Sequence, residues 1–390
     1  MPRRDEPLVA GWDIGGAHVK LSLVAPRGGS AHECVPIAAE QWPCPLWQGL
    51  DRLDAVLAEA RALWPELDGA RHAVTMTGEM VDLFEHREAG VLVLAEVLSA
   101  ALGDGLAFWA GEGGWCGAGA LRACWPQVAS ANWAATASLA ARRLEGREAL
   151  LVDIGSTTTD LVALRDGAPC SASRSDADRL ASGELLYQGV VRTPLCALAP
   201  RIEHRGRALN VMNECFATTA DVHRLLGQLD TAHDQQPTAD GGPKDLAATR
   251  RRLARMIGLD ARDAVDDDWH ALAACWREAQ LGALRENAER VVQAAALAAD
   301  APVVAAGCGD FLAFELARRL GRPCMRFDAL VLGDAAAPPG AAGDERRRAI
   351  QLAAPAVAVA LLFASMHPAA RDESEAANDA DGKPHRRCGS

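Results

Sequence analysis

Leu150-Leu151-Val152-Asp153-Ile154-Gly155-Ser156-Thr157-Thr158-Thr159-Asp160-Leu161-Val162-Ala163-Leu164 is two apolar runs joined by a turn of small hydroxyl residues. Apolar residues lead into Asp153, and β-branched and apolar residues lead out again from Thr157, so both arms read as strands of a buried sheet. Gly155 lets the backbone come close to an anion. Ser156, Thr157, Thr158 and Thr159 offer hydroxyl and N–H donors, the make-up of an anion-binding concavity. Asp153 stands at the mouth of that turn, where a carboxylate repels phosphate unless a cation lies between them. This implies Mg²⁺ held by few protein ligands, waters and phosphate oxygens. A plain hairpin with a Ser/Thr turn would share these residues, and a second copy of the pattern separates the two possibilities.

That copy is Leu8-Val9-Ala10-Gly11-Trp12-Asp13-Ile14-Gly15-Gly16-Ala17-His18-Val19-Lys20-Leu21-Ser22-Leu23-Val24. It again runs strand, Asp-Ile-Gly, small turn, strand, and Val19, Leu21 and Leu23 alternate with His18, Lys20 and Ser22 at the period of a strand. Both copies put a charged residue seven positions after the aspartate, Lys20 after Asp13 and Asp160 after Asp153. Two such hairpins 153 − 13 = 140 residues apart imply an α/β chain of two similar half-domains facing one phosphate-binding cleft. The halves are expected at residues 1–148 and 149–365, with a helical insert in the second at about 195–300 and a disordered polar tail at 366–390.

The 390 residues, 49% of them hydrophobic, suffice for a large core. A net charge of −12 argues against nucleic acid or a membrane surface as partner. No run of about 18 apolar residues appears, and Met1-Pro2-Arg3-Arg4 leads into Asp5 and Glu6 rather than an apolar segment, so a cytoplasmic location is expected. Eleven cysteines without a C-x-x-C pair read as reduced thiols, most of them, Cys308 included, small core residues.

Other stretches carry polar groups toward the expected cleft. The apolar spacing over 46–63 predicts a scaffold helix. His72-Ala73-Val74-Thr75-Met76-Thr77-Gly78-Glu79-Met80-Val81-Asp82 reads as a strand ending in a glycine turn. Strand C-termini in α/β sheets hold ligands, so Glu79 and Asp82 are placed to position substrate or take a proton; the alternative is acids favoured by a helix dipole. The Gly-rich aromatic stretch from Phe108 to Trp115 is expected to flank the cleft. A helix capped by Ser130 and running to Arg143 carries Asn132 and Trp133 in its first turn. A helix over 175–189 carries Asp178, Glu184 and Tyr187, and the extended segment after it carries Arg192, which can clamp phosphate or carboxylate. Gly307 and Gly309 form a turn between a strand and a helix over 311–320. A last apolar helix is expected over 347–365.

Asp13-Ile-Gly-Gly and Asp153-Ile-Gly-Ser-Thr-Thr-Thr-Asp160 resemble the two phosphate motifs of the actin/Hsp70/sugar-kinase superfamily, which implies the duplicated actin-like (ribonuclease H-like) ATPase fold. Longer strings extend the resemblance: Thr75-Met-Thr-Gly-Glu79, Ala131-Asn-Trp133, Arg179-Leu, Gly183-Glu-Leu, Tyr187, Arg192-Thr-Pro194, Glu214-Cys-Phe-Ala-Thr218 and Thr238-Ala-Asp-Gly241. With the two hairpins, they are similar to the hydantoinase/oxoprolinase-like proteins of tetrahydromethanopterin-linked one-carbon transfer. That resemblance implies an alkyl- or aryl-transferring enzyme of methanofuran-type cofactor biosynthesis. It would condense an aminomethyl-furan-methyl diphosphate with the phenol of a γ-glutamyl-tyramine or tyrosine-type acceptor and release diphosphate. The larger ATP-dependent members of the family are much longer chains, which counts against amide-ring hydrolysis.

Within this picture Asp13, Asp153, Asp160 and Glu79 are the catalytic carboxylates, and Asp13 and Asp153 share the Mg²⁺. Gly15, Gly16, Lys20, Gly155, Ser156, Thr157, Thr158 and Thr159 hold phosphate. Asp82, Asn132, Trp133, Asp178, Glu184, Tyr187, Arg192, Gly307 and Gly309 contact the substrates. Departure of diphosphate from a furfuryl-type carbon leaves a resonance-stabilised cation, so the main task is neutralising the leaving group. A general base would assist the phenol, for which Glu79, Asp160 and His18 are open alternatives. Trp133, Trp115 and Met76 suggest that the aromatic rings lie toward the first half. Two other function classes use the same hairpins: an ATP-dependent small-molecule kinase or ring hydrolase, and a non-catalytic nucleotide-binding scaffold.

Overall fold

The computed structural model describes residues 8–27, 30–103, 105–173, 175–333 and 340–366, so the expected tail beyond Met366 lies outside the described residues. The strands in chain order are β1 (Val9–Ile14), β2 (His18–Arg27), β3 (Ser30–Pro43), β4 (Arg71–Met76), β5 (Ala107–Trp109), β6 (Trp115–Gly117), β7 (Ala149–Ile154), β8 (Thr159–Arg165), β9 (Ala168–Pro169), β10 (Leu185–Leu186), β11 (Arg201–His204), β12 (Arg207–Asn210), β13 (Val303–Ala306) and β14 (Cys324–Arg326). One sheet has the order β3-β2-β1-β4-β5-β6, and the other β10-β8-β7-β13-β14 with β9 beside β8.

The duplication is visible in the pairing. β1 is antiparallel to β2 and parallel to β4; β7 is antiparallel to β8 and parallel to β13. The registers place Asp13 opposite Lys20 and Asp153 opposite Asp160, so the shared spacing of seven is a hairpin register. Both turns close with the same hydrogen bond, Gly15 N to His18 O at 3.0 Å and Gly155 N to Thr158 O at 2.9 Å. The chain therefore has the duplicated α/β architecture of the actin-like fold.

The helices are α1 (Asp51–Leu63), α2 (Arg87–Leu102), α3 (Leu121–Val128), α4 (Asn132–Arg143), α5 (Asp176–Ser182), α6 (Thr219–Leu225), α7 (Leu246–Arg255), α8 (Asp266–Ala294), α9 (Asp310–Arg319), α10 (Phe327–Leu332), α11 (Ala341–Leu352) and α12 (Ala354–Met366). Along β7, Ala149 and Leu151 join the core between the sheets, whereas Leu150, Val152 and Ile154 join the outer core beneath α8 and α9. This is the strict alternation of a strand buried on both faces. Asp13 and Asp153 thus end their strands on the side of the inter-sheet gap.

α4 and α12 fill that gap and are exchanged between the halves. α12, from the end of the chain, packs on β1 to β4, whereas α4, from the first half, packs on α12, β7 and β8. A Cβ on Gly11 would sit 2.1 Å from the Ala356 carbonyl oxygen, so α12 approaches β1 at backbone distance. Packing therefore does not divide at a single cut near residue 148. The insert is helical in α6, α7 and α8, but also contains the β11–β12 hairpin and has its own core around Trp269 and Trp276.

Several local expectations need correction. The helix expected over 175–189 stops at Gly183, whose φ of 85° takes the left-handed conformation, and Leu185–Leu186 instead extends the second sheet. The helix expected over 347–365 is two, α11 and α12, bent by 88° at a break where Pro355 lies in the first turn of α12. Cys116 and Cys124 form a disulfide, because α3 folds back onto β6 and brings together thiols the spacing had left unpaired. No single described helix is long and apolar enough to cross a membrane.

Candidate active site

The two hairpins open onto one cleft of about 500 Å³. Asp13, Gly15, Gly16 and Lys20 line it from the first half, and Gly155, Ser156, Thr157, Thr158 and Asp160 from the second. The loops that follow repeat the symmetry. Cys44 and Leu46 donate backbone N–H bonds to Ala17 and Gly16, whereas Val190 bonds to Gly155, and Val191 and Arg192 bond to Ser156. Each loop thereby delivers one large side chain. Trp47 and Arg192 meet with the guanidinium 4.9 Å from the ring centroid, and Arg192 also donates to Thr157 Oγ1 at 3.3 Å. The expectation that Arg192 reaches the cleft is met.

The charges at the strand ends interlock. Lys20 Nζ lies 3.4 Å from Asp13 Oδ2. Burial pulls the Lys20 pKa down, but Asp13 and Asp153 outweigh it and hold the ammonium above its ordinary value. Burial raises the Asp13 carboxyl despite Lys20. Asp153 is pushed up to about 7, first by burial and then by Asp160. Asp153 is almost fully buried and does not line the cleft, so it acts behind Asp160 and Lys20.

Asp13 Oδ1 is buried without a hydrogen bond, although Asn132 lies near enough to lower the carboxyl's pKa. An orphaned carboxylate oxygen of this kind fits a cation. Among the described residues no three His, Cys, Asp or Glu side chains form a metal cage by themselves. A divalent ion here would therefore draw on Asp13 and on non-protein oxygens, as Mg²⁺ does, whereas Asp153, expected as the second ligand, does not face the cleft.

Asp160 is held by Arg179 through a 2.8 Å ion pair, and Arg179 lies 4.0 Å over the Trp133 ring. Trp133 lines the cleft, but this guanidinium covers one face of it. Burial drives His18 down to about 3, helped by the charges of Lys20 and Arg192, so it faces the cleft as a neutral ring. Its Nε2 meets Gln236 at 3.1 Å and its Nδ1 meets Ser156 Oγ at 3.5 Å.

Glu79 is buried behind the cleft wall and accepts from Ser130 Oγ at 2.9 Å. Burial raises its pKa. Ser130 does not cap α4, since the residue at the cap is Ala131 and the Ser130 hydroxyl is turned to Glu79. Arg87 donates to Ser130 Oγ and pairs with Asp176 of the opposite half, closing one side of the cleft.

The remaining expected residues divide cleanly. Asp82, Asn132 and Tyr187 line the cleft, Tyr187 with most of its surface exposed. Thr159 is buried and donates to the Gln188 carbonyl. Asp178 accepts from Ser175 at the start of α5, and Glu184 accepts from Ser171; neither lines the cleft. Gly307 and Gly309 support the hairpin from behind: a Cβ on Gly307, at φ 80°, would lie 2.3 Å from the Ile154 oxygen and 2.5 Å from Asp153 Oδ1. Met76 is core, and Trp115 packs against Trp109 and Phe363 beside α12, away from the cleft. Trp47, Thr77, Arg87, Asp176 and Gln236 were missed. Only Trp47 had a local signal, the proline-marked loop Trp42-Pro43-Cys44-Pro45 before it.

Residues 71–338 match the family described as hydantoinase/oxoprolinase. The "(4-{4-[2-(gamma-L-glutamylamino)ethyl]phenoxymethyl}furan-2-yl)methanamine synthase" of Methanocaldococcus jannaschii is 28% identical over 287 residues, covering 73% of this chain and 82% of that protein. The protein of the same name from Methanococcus vannielii is 32% identical over 145 residues, 37% of this chain and 65% of that protein. Among solved structures, a nucleotide-free acetone carboxylase aligns over 81% of this chain and 68% of its own at 12% identity and a TM-score of 0.48, a likeness from which no function is taken.

Proposed function

Because the chain belongs to the hydantoinase/oxoprolinase family, we propose that it is a transferase joining an aminomethyl-furan-methyl diphosphate to the phenol of a γ-glutamyl-tyramine-type acceptor, with release of diphosphate. The observation that carries this is the cleft, in which two phosphate-type hairpins, Lys20 and Arg192 converge on one space. The shared name of the two relatives gives the product, a γ-glutamylaminoethyl-phenoxymethyl-furan methanamine, and the diphosphate donor and phenolic acceptor are our reading of how that ether is made.

Gly16 and the Ser156–Thr158 part of the second turn donate N–H and hydroxyl groups to the diphosphate, Gly15 and Gly155, whose N–H groups close the turns, let the backbone approach it, and Lys20 and Arg192 balance its charge. Asp13 would hold Mg²⁺ through its unpartnered Oδ1, and the ion when bound would neutralise the departing diphosphate. Leaving-group departure is the demanding step because the furfuryl carbon then carries positive charge, and the Asp160 carboxylate lies on the cleft wall where it stabilises that charge. Asp160 also takes the phenol proton, since it lines the cleft and Arg179 fixes its position. His18 stays neutral and orients Ser156. Glu79 acts from behind the wall, through Ser130 and Arg87.

The test is product analysis with the purified chain. Diphosphate formed from the furfuryl diphosphate and γ-glutamyl-tyramine without ATP supports the synthase. Orthophosphate released from ATP, with no coupled product, replaces it with the kinase or hydrolase reading, and tight nucleotide binding without turnover replaces it with the scaffold.

A further inference from the structure

A second cavity of about 210 Å³ lies beside the cleft, bounded by the insert. The Arg192–Trp47 pair lines both spaces and so forms the partition between them. The outer wall comes from two stretches that the proposed chemistry leaves unused, Thr218 at the start of α6 and the 237–239 loop. That loop is built to stay open: Thr238 Oγ1 donates to Asp240 Oδ1 at 3.1 Å and to the Gly242 carbonyl at 2.9 Å, and the fully buried Arg252 ties Asp240 to Asp221.

The cavity presents both signs of charge. Arg224 bridges Asp221 at 2.8 Å and Asp234 Oδ2 at 2.6 Å along one wall, and Lys244 lies 3.1 Å from Asp234 Oδ1, which is buried without a hydrogen bond. Arg192, half-buried, also lines the cavity, and it meets a hydroxyl and an aromatic face rather than a carboxylate. A simple anion entering here meets two aspartates, and a simple cation meets two guanidinium groups. A group with ammonium and carboxylate on the same carbon finds a partner for each. We propose, resting on the reaction given above, that this cavity receives the α-amino-acid head of the acceptor, its carboxylate on Arg192 and its ammonium toward Asp234, while the phenol passes Trp47 into the cleft.

Ala239 is exposed on the loop, so Ala239→Leu intrudes into the cavity from its rim without burdening the core. Diphosphate release is measured with γ-glutamyl-tyramine, with glutaryl-tyramine, which lacks only the ammonium, and with tyramine, which lacks the head. The native chain should lose about tenfold in kcat/KM at each step, the size of one charge-assisted hydrogen bond. In Ala239→Leu the preference for γ-glutamyl-tyramine over tyramine should collapse toward one. Equal use of the three acceptors by the native chain, or a preserved preference in the variant, overturns the proposal and leaves the synthase standing. If no acceptor yields diphosphate the synthase fails, and calorimetry with γ-glutamyl-tyramine decides the cavity alone: binding at least about tenfold weaker in Ala239→Leu supports it, and unchanged or absent binding overturns it.

Discussion

Asp153→Asn should stabilise the chain, and the gain should depend on pH in a defined way. The Asp153 carboxyl titrates at about 7 in the fold against 3.8 for the free side chain, chiefly through burial and then through Asp160. A folded pKa above the unfolded one means that the proton favours folding: the contribution is complete below about pH 3.8 and is lost as pH rises through 7. About 3 pKa units at roughly 1.4 kcal/mol each make the ionised form cost about 4 kcal/mol above neutrality. Asparagine has the same shape and never ionises. The stability difference between variant and native chain should therefore grow by about 1.4 kcal/mol per pH unit up to about pH 7 and then level off. In a chain of this size the full gain is about 5 °C in melting temperature. Paired thermal melts from pH 5.5 to 8.5 follow the rise and the plateau, and titrating groups that do not interact with Asp153 cancel in the difference. A flat difference across that range, or a variant less stable than the native chain at pH 8, would refute the picture of a buried carboxylate forced to ionise.

Asp13→Asn should abolish turnover with the circular dichroism spectrum unchanged, because the carboxylate serves Lys20 and the cleft rather than the core; retention of more than about a tenth of the native rate counts against its role. Thr157→Val removes a phosphate donor and should weaken diphosphate binding about tenfold while sparing the acceptor. Trp133→Ala removes the face beneath Arg179, at a cost of roughly 0.5–2 kcal/mol, and should raise the acceptor KM more than the donor KM; equal losses with a lowered melting temperature would mean a packing residue. Asp176→Asn cuts the Arg87 pair across the cleft and should speed hydrogen exchange around residues 78–82 and 175–182, whereas unchanged protection there would show that the pair does not hold the halves together.

What was legible in the sequence was periodicity and repetition. The two Asp-Ile-Gly turns are contiguous, and their flanking residues alternate strictly, so strands, register and shared cleft could all be read from local residues. Arg87, Asp176, Ser130 and Gln236 were illegible for the opposite reason. Each acquires its role from a partner 43 or more residues away, as in Arg87 with Ser130 and with Asp176, or Gln236 with His18. Trp115 and Met76 misled because an aromatic or sulfur side chain near a glycine turn looks the same whether it faces a cleft or the core; only α12, folding back from the far end of the chain, assigns Trp115 to packing. The helix expected past Gly183 failed because apolar Leu185 and Leu186 suit either a helix face or a sheet edge, and the free edge of β8 was not visible locally.

The two hairpins are copies in backbone and not in charge. At the same register position the first offers Lys20 to its own Asp13, while the second sets Asp160 against Asp153. The first turn is therefore near neutral by itself. The second carries a surplus negative charge that Arg179 relieves only at Asp160, and Lys20 must also serve Asp153 from across the gap. Burial is the first cause of the raised Asp153 pKa, and this asymmetry, through Asp160, adds to it. The second turn, with its surplus charge, gains more from a neighbouring cation than the first, although both turns face the one diphosphate. Of the three residues expected to carry the rings toward the first half, Trp133 lines the cleft, whereas Trp115 and Met76 pack elsewhere, so the difference between the halves rests on the charges at one pair of register positions.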